Sequence, residues 1–203
     1  MDLSSQRTRL IETLDAHTAE DAHESDSLRQ MQTFVRTLQD PFSRHQPDAH
    51  FTGSALVVDA GAGRIALVHH AKLNRWLQPG GHAEAQDGGS MHLTALREAR
   101  EETGCEVSHY LDSIAPIDVD VHLIPARGSE KAHFHLDLRF LLIAHNPDAL
   151  AFDQGESLGA RWVSFDEALS LITEPPLRRL IRKGQRIVGA WLSRVESSAA
   201  TER

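Results

Sequence analysis

The chain has 203 residues and a mass of 22.5 kDa, with 40% hydrophobic and 25% charged residues, a balance that supports a buried core and excludes disorder throughout. No apolar run approaches the roughly 18 residues of a membrane span, and MDLSSQRTRLIETLDAH lacks the basic start, apolar block and cleavage site of a secretory signal, so a cytoplasmic location is expected. Twenty-nine acids against 21 bases give a net charge of −8, the wrong sign for bare nucleic acid and the right one for a cation, and the single cysteine, Cys105, excludes an internal disulfide or a cysteine-rich zinc site.

Leu10, Ile11 and Leu14 predict a short first helix; Leu28, Met31, Phe34, Val35 and Leu38 predict a second, stopped by Pro41. The polar stretch 41–50 carries two prolines and reads as a connector. Residues 1–47 are therefore expected to form an N-terminal helical extension, 48–196 the main domain and 197–203 a disordered tail. Packing ranks first among roles for the extension, a homodimer contact second and a lid third. GSALVVD (53–59) and RIALVH (64–69) predict strands around a hairpin turn at Ala60–Gly63, and Trp76–Gln78 a third strand ended by Pro79-Gly80-Gly81. A helix is predicted from Ser90 to Thr103, with Gly104 as its stop. Ile117–Leu123, Phe134–Ile143 and Ala160–Val163 read as strands. Ser164 and Glu167 have the spacing of a helix N-cap, and Leu177, Leu180, Ile181, Ile187, Val188 and Trp191 mark a last amphipathic helix.

Chemistry concentrates in GGHAEAQDGGSMHLTALREAREETGC, Gly80 to Cys105. Glu98, Glu101 and Glu102 stand at i, i+3 and i+4, so on a helix three carboxylates share one face and repel one another. An isolated EARE string is ordinarily a solvated helix face. Here a glycine pair precedes it, where backbone can approach a metal or phosphate without a Cβ. A divalent cation among oxygen ligands makes sense of the repulsion, and such ligands favour magnesium, with manganese as the alternative. Arg97, four residues before Glu101, can orient a carboxylate.

This segment resembles the Nudix box of the Nudix hydrolases, a pattern of Gly, five residues, Glu, seven residues, then Arg-Glu-apolar-x-Glu-Glu-x-Gly-apolar. Arg97-Glu98-Ala99-Arg100-Glu101-Glu102-Thr103-Gly104-Cys105 matches its second half, with Cys105 as the final apolar residue, and the resemblance extends over Phe51 to Trp191. Gly81 to Arg97 spans 16 positions, two more than the pattern, so the loop carries an insertion within Ala85–Ser90. Gly89 then falls where the family has its first Glu, and either Glu84 or Asp87 can stand in.

The resemblance implies an α/β/α sandwich with a mixed sheet and an enzyme that hydrolyses a nucleoside diphosphate linked to another moiety. It implies metal binding by Glu98 and Glu102, with Glu101 and a loop carbonyl near Gly80 or Gly81 contributing, and Arg97 holding the array in place. A further acid from outside the box is expected; Glu156, six residues before Trp162, is the first choice, with Asp153 and Asp137 behind it. The partner implied is a small nucleotide-type substrate; composition adds that no membrane partner is expected and that the acidic net charge disfavours nucleic acid.

In HFHLDLRF, strand alternation puts His133, His135, Asp137 and Arg139 on one face. A polar wall of the substrate cleft is the favoured reading, with Arg139 gripping a phosphate. Paired histidines also offer metal ligands, but no HExxH-like spacing indicates zinc. His82, directly after Gly81, is placed to touch substrate. The competing hypothesis is a non-catalytic Nudix-fold module that binds a nucleotide for regulation. Three mutually repelling acids argue against it, since a pure binder has no need of them.

Overall fold

A computed structural model describes residues 2–59, 61, 63–128, 131–152, 155 and 157–201. In chain order the elements are α1 (Leu3–Ala16), α2 (Ala22–Thr37), β1 (Ala49–Asp59), β2 (Arg64–His70), β3 (Arg75–Leu77), β4 (Gly80–His82), α3 (Met91–Thr103), β5 (Val107–His109), β6 (Asp118–Ile124), β7 (His133–Ala144), β8 (Ser157–Ser164), α4 (Phe165–Leu171) and α5 (Pro175–Thr201). Asp2 and Asp21 cap the first two helices, accepting from the amides of Ser5 and Glu24. Ser164 accepts from the Glu167 amide at 3.1 Å, as the sequence spacing predicts. The segment expected as a tail from residue 197 is helical as far as Thr201.

The sheet is mixed. β1 and β7 pair in parallel along their length, from Ala49 opposite Phe134 to Asp59 opposite Ala144, and the other pairings are antiparallel. β4 and β2 share the other edge of β1, β6 and β5 share the far edge of β7, and β8 lies outside β2. A parallel pair in mid-sheet must be covered on both faces. Phe51, Ala55 and Val57 of β1 accordingly join a core with α1, α2 and α3, while Leu56 and Val58 join one with α4 and α5. Gly53 permits close approach of α3, because a Cβ there would come within 2.5 Å of the Met91 carbonyl oxygen. Gly184 does the same for α5 against Leu56. The even-numbered face of β1 turns polar upstream, at His50, Thr52 and Ser54, and this switch along one strand marks where the site begins.

Helices α1 and α2 contribute Leu10, Leu14, Met31 and Val35 to the α3-side core. A buried ion network ties α2 to the rest. The Glu24 carboxylate accepts from Lys183 Nζ at 2.5 Å, from the Glu20 amide at 2.6 Å and lies 2.8 Å from His17 Nε2, while Arg179 bonds Asp118 at 2.7 Å. Burial pushes the Glu24 carboxyl up, but His17, the Glu20 amide and Lys183 outweigh it and hold the pKa at about 2.

Because the folded pKa lies below the ordinary value of 4.5, the contribution of Glu24 is complete above that pH and is lost as pH falls towards about 2. Glu24→Gln leaves Lys183 buried beside a neutral amide. It is expected to cost about 3 kcal/mol, a fall in Tm of roughly 10 °C. Thermal melts should also show a shallower loss of stability in the variant than in the parent as pH is lowered through this window.

Candidate active site

Helix α3 ends at Gly104, whose φ of +67° suits glycine and whose amide closes the helix on the Arg100 carbonyl at 2.8 Å. One turn back, Glu98, Glu101 and Glu102 face the short strand β4. Glu102 is buried and accepts from the Gly80 amide at 2.9 Å. Glu98 lies so close to Gly81 that a Cβ there would stand 2.5 Å from its Oε1. Glu101 is the exposed member of the three.

Arg97 gathers this array. Its Nη1 donates to Glu98 at 3.0 Å and to Glu101 at 2.9 Å, its Nη2 donates to the His82 carbonyl at 2.7 Å, and Nε and Nη2 grip Asp87 at 3.2 and 3.0 Å. Burial alone would make the guanidinium easier to deprotonate; Asp87 and Glu98 reverse that and hold its pKa above the usual range. It is a fixed cation among repelling anions.

The inserted loop forms a 3-10 turn at Ala85–Asp87 followed by two left-handed glycines, Gly88 and Gly89. Of the two acids offered for the missing box glutamate, Asp87 is the one that holds Arg97. It is buried, and it also accepts from Thr94 Oγ1 at 3.0 Å and the Glu84 amide at 2.9 Å. Glu84 is exposed and 3.9 Å from Arg97. Gly89 itself cannot carry a side chain, since a Cβ would meet Gln6 at 2.9 Å and its φ is +71°.

A cleft of about 480 Å³ opens over these groups. Gly80, Gly81, His82, Arg97, Glu98, Glu101 and Glu102 all line it, so the structure brings together the box residues expected to bind metal or substrate. Arg139 is a correction. Its guanidinium is buried and bonded to Asp137 at 2.9 Å, Asp118 at 3.3 Å and Asp120 at 3.0 Å, so it braces the floor of the site and has no side chain to offer a phosphate. Asp137, the fallback acid, is engaged by Thr52, Ser54 and Arg139. Glu156 and Asp153 lie outside the described residues. Arg44 and Lys72, which also line the cleft, escaped the sequence reading because a basic residue in a connector or a turn carries no pattern.

The family model described as the NUDIX domain matches residues 50–184. A NUDIX-family hydrolase from Clostridium perfringens is 23% identical with a TM-score of 0.50, over 69% of this chain and 98% of that one. A C. elegans Ap4A hydrolase in a binary complex is 18% identical with a TM-score of 0.48, again over 69% and 98%. The NUDIX domain of Shewanella oneidensis NrtR, complexed with ADP ribose, is 15% identical with a TM-score of 0.46, over 77% and 97%. No curated protein matches in sequence.

The two glycines of β4 make different demands. At Gly80 a Cβ would collide with the backbone and side chain of Ser54, whereas at Gly81 it meets only the movable end of Glu98. Gly80→Ala should therefore lower stability by about 1–3 kcal/mol. Gly81→Ala should melt near the parent temperature yet bind Mn²⁺ more weakly, by about tenfold. Denaturant titration and Mn²⁺ electron paramagnetic resonance separate the two effects.

Proposed function

The chain belongs to the NUDIX family, and on that premise we propose that it is a hydrolase acting on phosphoric anhydrides, using Mg²⁺ to cleave the pyrophosphate bond of a nucleoside diphosphate linked to a further group. The observation that carries this reading is the trio Glu98, Glu101 and Glu102, set on one helix face against the glycine backbone of β4, with Arg97 holding the first two and the Gly80 amide the third. The donor set fits the ion: it is all oxygen, and the missing Cβ at Gly81 lets the Glu98 carboxylate lie directly against the strand backbone. Glu98 and Glu102 would hold the cation, with Glu101 and backbone near Gly80 or Gly81 contributing. Mn²⁺ suits the same ligands. When bound, such an ion neutralises charge on phosphate oxygens and makes a bound water more acidic.

The chain's own groups supply the rest. Arg97 takes one oxygen each of Glu98 and Glu101, which fixes both carboxylates before substrate arrives. Glu101, exposed to the cleft, holds its other oxygen where it can accept the proton of the attacking water. Arg44 and Lys72 give an otherwise acidic cleft two cations for the phosphates of the substrate, and His82 stands at the same wall.

A panel of ADP-ribose, nucleoside triphosphates, nucleotide sugars and dinucleoside polyphosphates, assayed with Mg²⁺ and Mn²⁺, is expected to yield at least one substrate. Glu102→Gln should nearly abolish its turnover while the metal-free variant melts no lower than the parent, since one of three repelling charges is gone. Glu101→Gln should lower kcat by about 10²–10⁴-fold with little change in KM. Parent-like turnover in Glu102→Gln at saturating Mg²⁺ contradicts the ligand assignment. Absence of hydrolysis across the panel, with nucleotide binding retained, would favour a regulatory binding module.

A further inference from the structure

Five histidines from four strands meet at one end of the cleft. Parallel pairing sets His50 of β1 opposite His135 of β7, antiparallel pairing sets His122 of β6 opposite the same His135, and His133 lies two residues back on that face. His82 of β4 completes the group. The His50 ring is centred 5.0 Å from His133, 4.8 Å from His135 and 5.0 Å from His82. One nitrogen each from His50, His133 and His135 falls within 4.8 Å of the other two.

Two details separate this cluster from an ordinary polar wall. His50 is 1% exposed, and neither of its ring nitrogens has a hydrogen-bond partner. Either neutral tautomer leaves a lone pair and an N–H unpaired, a cost that buried polar groups rarely bear without a ligand. His133 Nδ1 lies 2.9 Å from the Lys131 carbonyl. A carbonyl can only accept, so Nδ1 carries the proton and Nε2 keeps its lone pair, the arrangement that orients metal-binding imidazoles.

We propose that His50, His133 and His135 form a second cation site, distinct from the carboxylate array, that takes a late first-row divalent metal of the Zn²⁺ class. Neutral imidazole is a preferred ligand of such ions and a poor one for Mg²⁺. Zn–N distances of about 2.0–2.1 Å require each ring to move inward by under about 1 Å, within reach of side-chain rotation. Burial and the neighbouring imidazoles hold His50 at a pKa of about 3 and His135 at about 2, so these two rings are unprotonated at neutral pH. His135, His82 and His122 line the cleft whereas His50 and His133 lie behind it, so the ion would sit in the cleft wall with its open position towards His82. The site stands on this geometry whether or not the chain hydrolyses pyrophosphate.

The test is equilibrium dialysis of the full chain against Zn²⁺ in excess Mg²⁺, followed by metal analysis. Parent protein and Glu98→Gln should each retain about one zinc per chain, whereas His133→Gln and His135→Gln should bind it at least about tenfold more weakly. Zinc should raise the Tm of the parent and leave these two variants unmoved. Co²⁺ in place of zinc should give the strong visible bands of low-coordinate cobalt in the parent and in Glu98→Gln, a readout that holds even if a histidine variant fails to fold. Failure of the parent to bind zinc, retention of zinc by both histidine variants, or its loss in Glu98→Gln alone would overturn the proposal.

Discussion

Three carboxylates on consecutive turns of one helix cannot be held together by packing. Glu98 and Glu101 are organised by the half-buried guanidinium of Arg97, which reaches both of them, Asp87 and the His82 carbonyl at once, while Glu102 is held by the Gly80 amide. Much of the surrounding architecture is what that arrangement requires. Gly53 lets α3 settle on β1, the 3-10 turn presents Asp87 to the guanidinium, and Gly80 and Gly81 bring strand backbone against the acids without intervening side chains. Replacing a single member removes more than its own bonds, since the others lose the geometry it imposed.

A fully buried arginine supports the sheet side of the cleft. Arg139 draws together Asp118, Asp120 and Asp137 from β6 and β7, and Asp137 in turn fixes Thr52 and Ser54 of β1. Asp118 also bonds Arg179 of α5, which continues the network to Glu24 of α2. Such networks cost desolvation and repay it in uniqueness of arrangement when each partner is met. Here they join α2, α5 and the site floor, so the N-terminal helix pair is tied to the cleft without lining it.

Much of this was legible in sequence. The apolar runs of β1 and β7 read as strands, and the helix carrying the acids shows its stop at Gly104. Strand β4 was not legible, because Gly-Gly-His has no strand preference of its own and pairs only because β1 offers an edge at Thr52–Ser54. Strand β5, three residues long, went unseen for a similar reason. Alternation placed Arg139 on the polar face correctly, yet its partners Asp118 and Asp120 come from a register that no local pattern encodes. Glu84 and Asp87 were indistinguishable until the loop folded around one of them. His50 read as the end of a connector, and only the parallel register with β7 sets it beside His133 and His135.

On the proposed reading, the planar fork of Arg97, and not its charge alone, sets Glu98 and Glu101 for a cation. Mn²⁺ affinity measured by electron paramagnetic resonance in Arg97→Lys tests it most directly, because lysine keeps the charge and loses the fork. The expected result is a folded variant whose Mn²⁺ affinity is lower by at least about tenfold. A folded Arg97→Lys protein that binds Mn²⁺ as tightly as the parent would contradict it.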